Sequence, residues 1–192
     1  MLGMLEALSV STGVVALGEM GDKTQLLALL LAARYRQPLP IIAGVFVATL
    51  LNHTGAGALG NWLTTLIDPQ WIRWAVGLSF VAVAVWMLVP DKADEGPTRE
   101  PGRFGVFGLT VLAFFLTEMG DKTQVATIVL AARFDSLAAV VVGTTLGMML
   151  ANVPAVLFGE RAVQWVPIAW VHRIAALAFA VLGVLVLAGI GL

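Results

Sequence analysis

The chain of 192 residues is poor in the groups that most soluble proteins use for chemistry and solvation. It contains no cysteine, which excludes disulfide bonds, thiolate metal sites and a cysteine nucleophile. Its two histidines, His53 and His172, are too few for a zinc site of the ordinary type. Charged residues make up only 12% of the chain, and a net charge of −1 provides no basic face for nucleic acid.

Apolar residues dominate instead: they form 59% of the chain, and the mean hydropathy is +0.94. A membrane-spanning helix needs about 20 largely apolar residues, and six stretches satisfy that requirement. They cover 8–33, 39–59, 71–89, 104–132, 136–158 and 168–190. The first lacks a basic leader region, so we expect a retained helix and not a cleaved signal peptide. The sequence therefore predicts an all-α polytopic membrane protein with six transmembrane helices.

One heptapeptide, Glu-Met-Gly-Asp-Lys-Thr-Gln, occurs at positions 19–25 and again at 118–124. Each copy lies inside a long apolar stretch, where charged groups must be paired, hydrated or neutralised. A structural salt-bridge network is one interpretation, and a shared ion-binding site is the other. Ionisable residues within membrane helices usually mark a pathway, which favours the ion-binding site.

The duplication extends over both halves of the chain, since a shift of 99 positions also aligns Gly44 with Gly143 and Phe80 with Phe179. We divide the chain into a first three-helix repeat (1–90), a linker (91–103) and a second three-helix repeat (104–192). Because three is odd, the second repeat crosses the membrane in the opposite sense to the first. Two inverted three-helix repeats are the architecture of many secondary transporters, whose sites lie near the bilayer midplane.

Basic residues near the helix ends predict the orientation. If the N-terminus and the C-terminus are outside, seven basic residues lie on the cytoplasmic side and two on the outer side. The seven are Arg34, Arg36, Lys92, Arg99, Arg103, Arg161 and Arg173, and the two are Arg73 and Arg133. The positive-inside rule then favours both termini outside and the linker in the cytoplasm.

On a continuous helix, the polar residues of each heptapeptide form one arc, because residues three and four apart share a face. Inverted repeats would bring the two arcs together. Four carboxylates and two amide oxygens would then form an all-oxygen set suited to hard cations such as Mn²⁺ or Ca²⁺. The expected metal ligands are Glu19, Asp22, Gln25, Glu118, Asp121 and Gln124, with Lys23 and Lys122 beside them.

The charge of this cluster suggests its chemistry. Four carboxylates and two ammonium groups sum to −2, which one divalent cation or two protons would neutralise. Since a net buried charge is strongly disfavoured, the metal-bound and protonated states are natural alternatives. Exchange of a divalent cation for protons follows as a hypothesis.

Several smaller residues have two interpretations each. Gly21 and Gly120 either allow close helix packing or break the helix to expose carbonyl oxygens. Thr24 and Thr123 either support the ion or bond to their own helix. Three further polar residues are candidate pathway residues or partners in interhelical hydrogen bonds: these are Asn52, His53 and Asn152.

At the doubled motif the chain resembles the Gdt-type calcium/manganese antiporter family, which is defined by two Glu-x-Gly-Asp-(Lys/Arg)-(Thr/Ser) motifs. The resemblance covers both halves and the hydrophilic middle segment. It implies that Glu19, Asp22, Glu118 and Asp121 bind the ion, that the activity is cation/proton exchange, and that the ion is chiefly Mn²⁺. The short chain resembles prokaryotic members, which implies a bacterial inner membrane.

Two other functions fit the sequence less well. An exporter of another substrate, such as an amino acid, would not need four carboxylates. An intramembrane aspartyl protease would need a Gly-x-Gly-Asp motif, but Glu19 occupies the position of the first glycine. We therefore expect a non-enzymatic transporter without a prosthetic group, whose partners are a divalent metal ion, protons and the lipid bilayer.

Overall fold

The computed structural model of the chain describes residues 2–89, 105–159 and 168–189. Within these ranges the chain forms eight α-helices and no strand, which confirms the all-helical class. The helices are α1 (Leu2–Glu19), α2 (Lys23–Tyr35), α3 (Pro38–Leu66), α4 (Pro69–Met87), α5 (Gly105–Glu118), α6 (Lys122–Arg133), α7 (Leu137–Phe158) and α8 (Ile168–Leu187). The predicted linker at 91–103 lies outside the described residues.

Four of these helices, α3, α4, α7 and α8, are long and apolar enough to cross a membrane. Their outward faces carry large apolar side chains, which water would solvate poorly and lipid solvates well. Examples are Leu51, Trp71, Leu78, Leu150, Leu157, Trp170, Leu177 and Val184, all more than half exposed. The fold is therefore that of a membrane protein.

Two of the predicted spans, 8–33 and 104–132, are not single helices. The first consists of α1 and α2, and the second consists of α5 and α6. Mean hydropathy could not reveal this, because a short interruption of the helix between two apolar segments hardly changes the hydropathy averaged over the whole segment. The prediction of one continuous helix through each motif was wrong. The other four predicted spans correspond to α3, α4, α7 and α8, although α3 continues to Leu66.

Helix starts follow ordinary capping chemistry. Pro38 opens α3, where its fixed φ suits the first turn and its missing N–H costs no hydrogen bond. Asp68 caps α4 by accepting from the Gln70 N–H, and the Ser136 hydroxyl caps α7 through the Ala139 N–H. These caps fix where α4 and α7 begin.

The two halves pack on each other through glycines. A Cβ on Gly44 of α3 would lie 3.0 Å from the Phe107 carbonyl oxygen of α5, so these helices are in backbone contact. A Cβ on Gly143 of α7 would lie 2.7 Å from the Leu8 carbonyl oxygen of α1. Gly143 is equivalent to Gly44, 99 positions earlier in the first half, and Leu8 is equivalent to Phe107, 99 positions later in the second half. Equivalent glycines therefore make equivalent contacts in the two halves.

Helices α4 and α8, which are equivalent in the two halves, run antiparallel where they meet: a Cβ on Gly77 would lie against Leu187, and a Cβ on Gly183 would lie against Phe80. Gly57, near the end of α3, faces Leu137 and Val141 at the start of α7. The equivalent residues Phe80 of α4 and Phe179 of α8 pack with their ring centroids 6.0 Å apart and their ring planes tilted by 44°. Aromatic pairs at this separation add favourable contact to the apolar burial.

Among the described residues, the buried apolar side chains form two clusters. One contains buried residues of α1, α4, α6, α7 and α8, and the other contains buried residues of α2, α3, α5 and α7. The chain passes from one cluster to the other between α1 and α2, and again between α5 and α6. Both passages are the heptapeptide motifs, so the polar residues lie where the two apolar clusters adjoin.

Candidate ion-binding site

Each motif interrupts its helix with a turn centred on glycine. Gly21 has φ 82° and Gly120 has φ 77°, a region that residues with a Cβ rarely adopt. The turns are alike, because the Asp22 N–H donates to the Glu19 carbonyl at 3.0 Å and the Asp121 N–H donates to the Glu118 carbonyl at 3.1 Å. Of the two interpretations of these glycines, the helix break is the one the structure contains.

A glutamine closes each turn. The Gly21 N–H donates to Gln25 Oε1 at 2.8 Å, and the Gly120 N–H donates to Gln124 Oε1 at 2.7 Å. Gln25 Nε2 also donates to the Ala151 carbonyl of α7 at 2.8 Å, which ties the first break to the other half of the chain. Both amide oxygens expected as metal ligands are thus hydrogen-bonded to backbone, with one lone pair left on each.

Three carboxylates converge at the breaks. Glu19, Asp22 and Asp121 each offer an oxygen, and these oxygens lie within 4.8 Å of one another. All three side chains are at least 98% buried. Glu19 Oε1 has no hydrogen-bond partner among the described residues, although it is fully buried. A buried carboxylate oxygen with no donor is costly, and a cation at this position would satisfy it.

The ends of four half-helices surround this cluster. Helices α1 and α5 end there, and their C-terminal carbonyls carry partial negative charge that favours a cation. Helices α2 and α6 begin there, with Asp22 and Asp121 at the N-cap positions. Asp121 Oδ1 accepts from the Lys122 N–H at 2.7 Å. The backbone of α6 therefore holds the Asp121 carboxylate, whereas the Asp22 side chain makes no capping hydrogen bond to α2.

The fourth acid, Glu118, is engaged elsewhere. Asn52 Nδ2 of α3 donates to Glu118 Oε2 at 2.9 Å, and His53 Nε2 lies 3.3 Å from Glu118 Oε1. Thr49 Oγ1 approaches Oε1 at 3.4 Å. Glu118 is fully buried and near enough to Glu19 for the two like charges to interact. The structure therefore groups three of the four predicted acids closely and places the fourth against α3.

The supporting residues of the two motifs differ in their contacts. Thr24 Oγ1 donates to Glu19 Oε2, and the buried Thr123 hydroxyl of the other motif also interacts with the Glu19 carboxyl group. Lys23 Nζ is 3.8 Å from Asp121 Oδ1 and partly exposed, so its charge faces the acid of the other motif. Lys122 is 98% buried and its Nζ donates to the Val89 carbonyl at 3.1 Å.

The candidate pathway residues also separate. Asn52 and His53 touch Glu118, as described above, and both are buried. Asn152 instead donates to the Met148 carbonyl of its own helix at 3.0 Å, and its Oδ1 has no partner within the described parts of the chain. Of the three candidate pathway residues, Asn52 and His53 therefore lie beside Glu118, whereas Asn152 bonds within α7.

Sequence reasoning missed three contributors. Thr49 lies one turn before Asn52 and His53 on the same face of α3, and that spacing was the signal that could have identified it. The Val89 carbonyl at the end of α4 carries no sequence signal. Nothing in the sequence assigns His172 to the site, but its Nε2 lies 2.8 Å from the Met20 carbonyl oxygen, inside the first break.

Taken together, the helices and the acids define a class. The chain is a polytopic helical membrane protein with a buried, all-oxygen acidic centre formed where two broken helices meet, and such a centre suits a hard divalent cation.

The family follows from comparison with known sequences. Residues 7–95 and 106–190 match the sequence profile described as "Divalent cation/proton antiporter GDT1". The chain belongs to this family of divalent cation/proton antiporters, as the doubled motif predicted. This is a transporter family, and both motifs lie in the matched residues.

Individual relatives agree with this membership. A Vibrio cholerae protein named "Putative manganese exporter" is 47% identical over 174 residues, which is 90% of this chain and 86% of that protein. "GDT1-like protein 3" of Oryza sativa subsp. indica is 26% identical over 82% of this chain and 65% of that protein. "GDT1-like protein sll0615" of Synechocystis is 27% identical over 82% and 84% of the two chains. No solved structure matches.

Proposed function

We propose that this protein exports Mn²⁺ in exchange for protons, with Ca²⁺ as a second cation that the same site accepts. The observation that carries the proposal is the group of three buried carboxylates, Glu19, Asp22 and Asp121, at the meeting point of two helix breaks. Its ligands are oxygens, which suits hard cations and disfavours thiophilic metals. The naming of the Vibrio cholerae relative supports manganese in particular.

Charge balance supports the exchange. The four motif acids and the two motif lysines sum to −2 when all are ionised, and nearly all of these groups are buried. A buried net charge of this size is unfavourable, so the site needs either a divalent cation or two protons. Release of the metal therefore favours protonation, and protonation favours release of the metal. This reciprocity is the thermodynamic basis of antiport.

The packing supports an inverted repeat with six spans. The equivalent helices α4 and α8 are antiparallel, and the end of α3 packs on the start of α7. In this arrangement α1 with α2 forms one interrupted span and α5 with α6 forms another, each with its break at the ion site. Discontinuous helices that meet near the midplane are a recurring device of secondary transporters. The two repeats would occupy 1–90 and 104–192, joined by the linker at 91–103.

The setting we propose is the inner membrane of a bacterium, with both termini outside. The positive-inside count supports this orientation, since seven basic residues lie on the proposed cytoplasmic side and two on the other. The export direction then follows from the usual inward proton gradient across that membrane.

Expression in bacterial cells is the first test of the proposal. A bacterial strain without its own manganese exporter should gain tolerance to Mn²⁺, and lower its metal content, when it expresses this chain. Glu19→Gln and Asp121→Asn should abolish the tolerance while the protein still reaches the membrane. Glu6→Gln is the matched control, because Glu6 is an exposed acid at the start of α1. Tolerance equal to that of the parent in both acid variants would contradict the proposed site.

Transport in vesicles tests the exchange itself. Inverted membrane vesicles with an imposed pH gradient should accumulate Mn²⁺, and collapse of the gradient by a protonophore should stop the uptake. The same vesicles with Ca²⁺ give the preference between the two ions. Uptake that is independent of the gradient would contradict proton exchange, and uptake of an amino acid in place of metal would contradict the cation substrate.

A further inference from the structure

The two motif glutamates are equivalent in sequence and different in their surroundings. Glu19 belongs to the three-carboxylate group and keeps one oxygen without a hydrogen-bond partner among the described residues. Glu118 accepts hydrogen bonds at both oxygens from α3, at Oε2 from Asn52 and at Oε1 from Thr49, and His53 Nε2 lies 3.3 Å from Oε1. The strongest of these contacts is the 2.9 Å hydrogen bond from Asn52 Nδ2 to Glu118 Oε2. Asn52 Nδ2 also reaches the Phe115 carbonyl at 3.2 Å, which ties α3 to α5 one turn before the break.

The other half lacks this arrangement. The positions of α7 equivalent to Thr49, Asn52 and His53 are occupied by Met148, Ala151 and Asn152. The first two side chains cannot donate a hydrogen bond to a carboxylate, and Asn152 donates to its own helix. The residues of α3 therefore hold Glu118 by hydrogen bonds, and the equivalent residues of α7 do not hold Glu19 in the same way.

We propose that Asn52 is a positioning residue that keeps Glu118 apart from the metal site formed by Glu19, Asp22 and Asp121, and so limits how tightly the site binds its cation. This inference rests on the proposed cation transport. Divalent-cation affinity rises with the number of carboxylates at a site. A transporter must also release its ion, so a fourth carboxylate gives tighter binding at the cost of slower release.

The first experiment compares the two glutamates. Mn²⁺ binding is measured by titration calorimetry on purified protein in detergent, for the parent, Glu19→Gln and Glu118→Gln. Glu19→Gln should raise the dissociation constant by about tenfold or more, which corresponds to loss of a charged ligand, whereas Glu118→Gln should change it by less than about threefold. Equal losses of affinity in both variants would overturn the inference.

The second experiment removes the positioning contact. Asn52→Leu is close in size and donates no hydrogen bond, so Glu118 loses its strongest tie to α3 and becomes able to join the site. Uptake of Mn²⁺ into inverted vesicles should then show a KM lower by about fivefold or more, together with a lower kcat. Thr110→Val is the control: Thr110 is also buried, and among the described residues its hydroxyl donates to the Val106 carbonyl of its own helix. It should leave both constants near those of the parent.

The outcomes separate this inference from the proposed function. A lower kcat with an unchanged or higher KM in Asn52→Leu would mean that Asn52 has only a structural or pathway role, and transport by the parent would stand. Absence of Mn²⁺ binding by the folded parent would contradict the proposed function itself. If Asn52→Leu does not fold, the two glutamine variants still test whether Glu118 is held outside the metal site, and equal losses of affinity would overturn the inference.

Discussion

At the scale of single residues, the two glycines at the helix breaks give the clearest test of the site's geometry. A Cβ on Gly120 would meet nothing within 4 Å, so the cost of Gly120→Ala comes from its φ of 77° alone. An L-residue in the left-handed region costs about 1–2 kcal/mol. We expect a lower midpoint of thermal unfolding in detergent and reduced Mn²⁺ transport, because relief of the strain would move Asp121 and Glu118.

Gly13→Ala is the control for this substitution. Gly13 lies within α1 and also has nothing within 4 Å of an added Cβ, but its φ is helical. Alanine is favoured over glycine inside a helix by roughly 0.5–1 kcal/mol, so Gly13→Ala should raise the unfolding midpoint slightly. If Gly120→Ala unfolds at the temperature of the parent, the left-handed turn is not the conformation of the motif.

The sequence singled out the residues of the candidate site, but it did not predict their geometry. The doubled acidic motif marked the four acids as candidates, because a charged side chain inside an apolar membrane segment is energetically costly. The sequence alone left both roles of Gly21 and Gly120 open, since a glycine is equally compatible with packing and with a positive φ. The polar arc expected on a continuous helix was therefore wrong. Glu19 and Glu118 have different surroundings because residues of α3 contact Glu118. The equivalent positions of α7 carry different residues, so the repeated motif alone could not predict this difference.

At the scale of elements, the two glutamines predict unequal stabilities for the two breaks. Gln25 closes its own turn and donates to the Ala151 carbonyl of α7, whereas the contact found for Gln124 is within its own motif. Gln25→Leu leaves more buried polar groups without partners, each of which costs about 1–3 kcal/mol. The unfolding midpoint should fall further for Gln25→Leu than for Gln124→Leu. A larger fall for Gln124→Leu would contradict the tie between α2 and α7.

Close packing of α3 on α6 gives a second prediction at this scale. A Cβ on Gly60 would lie 2.2 Å from the Ile128 carbonyl oxygen, which belongs to backbone and cannot rotate away. Gly60→Ala should therefore push α6 from α3 and cost about 1–3 kcal/mol, as overpacked cores do. Gly55→Ala on the same helix meets nothing within 4 Å and should be tolerated. Equal unfolding midpoints for the two variants would place α6 elsewhere.

Sequence predicted the elements unevenly for a physical reason. Apolar length located α3, α4, α7 and α8, because a membrane span needs a minimum number of apolar residues. Averaged hydropathy could not separate α1 from α2 or α5 from α6, since the break occupies only three residues in each case. Contacts between the two halves, such as that of α1 with α7, depend on tertiary packing. The sequence alone could not show which glycines make these contacts.

At the scale of the whole molecule, the absence of cysteine makes the proposed topology directly testable. Any introduced cysteine is the only thiol in the chain. Gln37, between α2 and α3, and Asp135, between α6 and α7, are both exposed and lie in equivalent loops of the two halves. In an inverted repeat, equivalent loops emerge on opposite sides of the membrane. With both termini outside, Asp135→Cys faces the exterior and Gln37→Cys faces the cytoplasm.

A membrane-impermeant maleimide measures this difference. Asp135→Cys should be labelled in intact cells, and Gln37→Cys only after the membrane is permeabilised, while the cysteine-free parent should remain unlabelled. The reverse pattern would still agree with an inverted repeat, but it would place both termini in the cytoplasm. The orientation predicted from the positive-inside count would then be wrong. Labelling of both cysteines in intact cells would place equivalent loops on one side. Two parallel repeats cannot bring Glu19 and Asp121 together from opposite directions, so that result would contradict the arrangement on which the ion site depends.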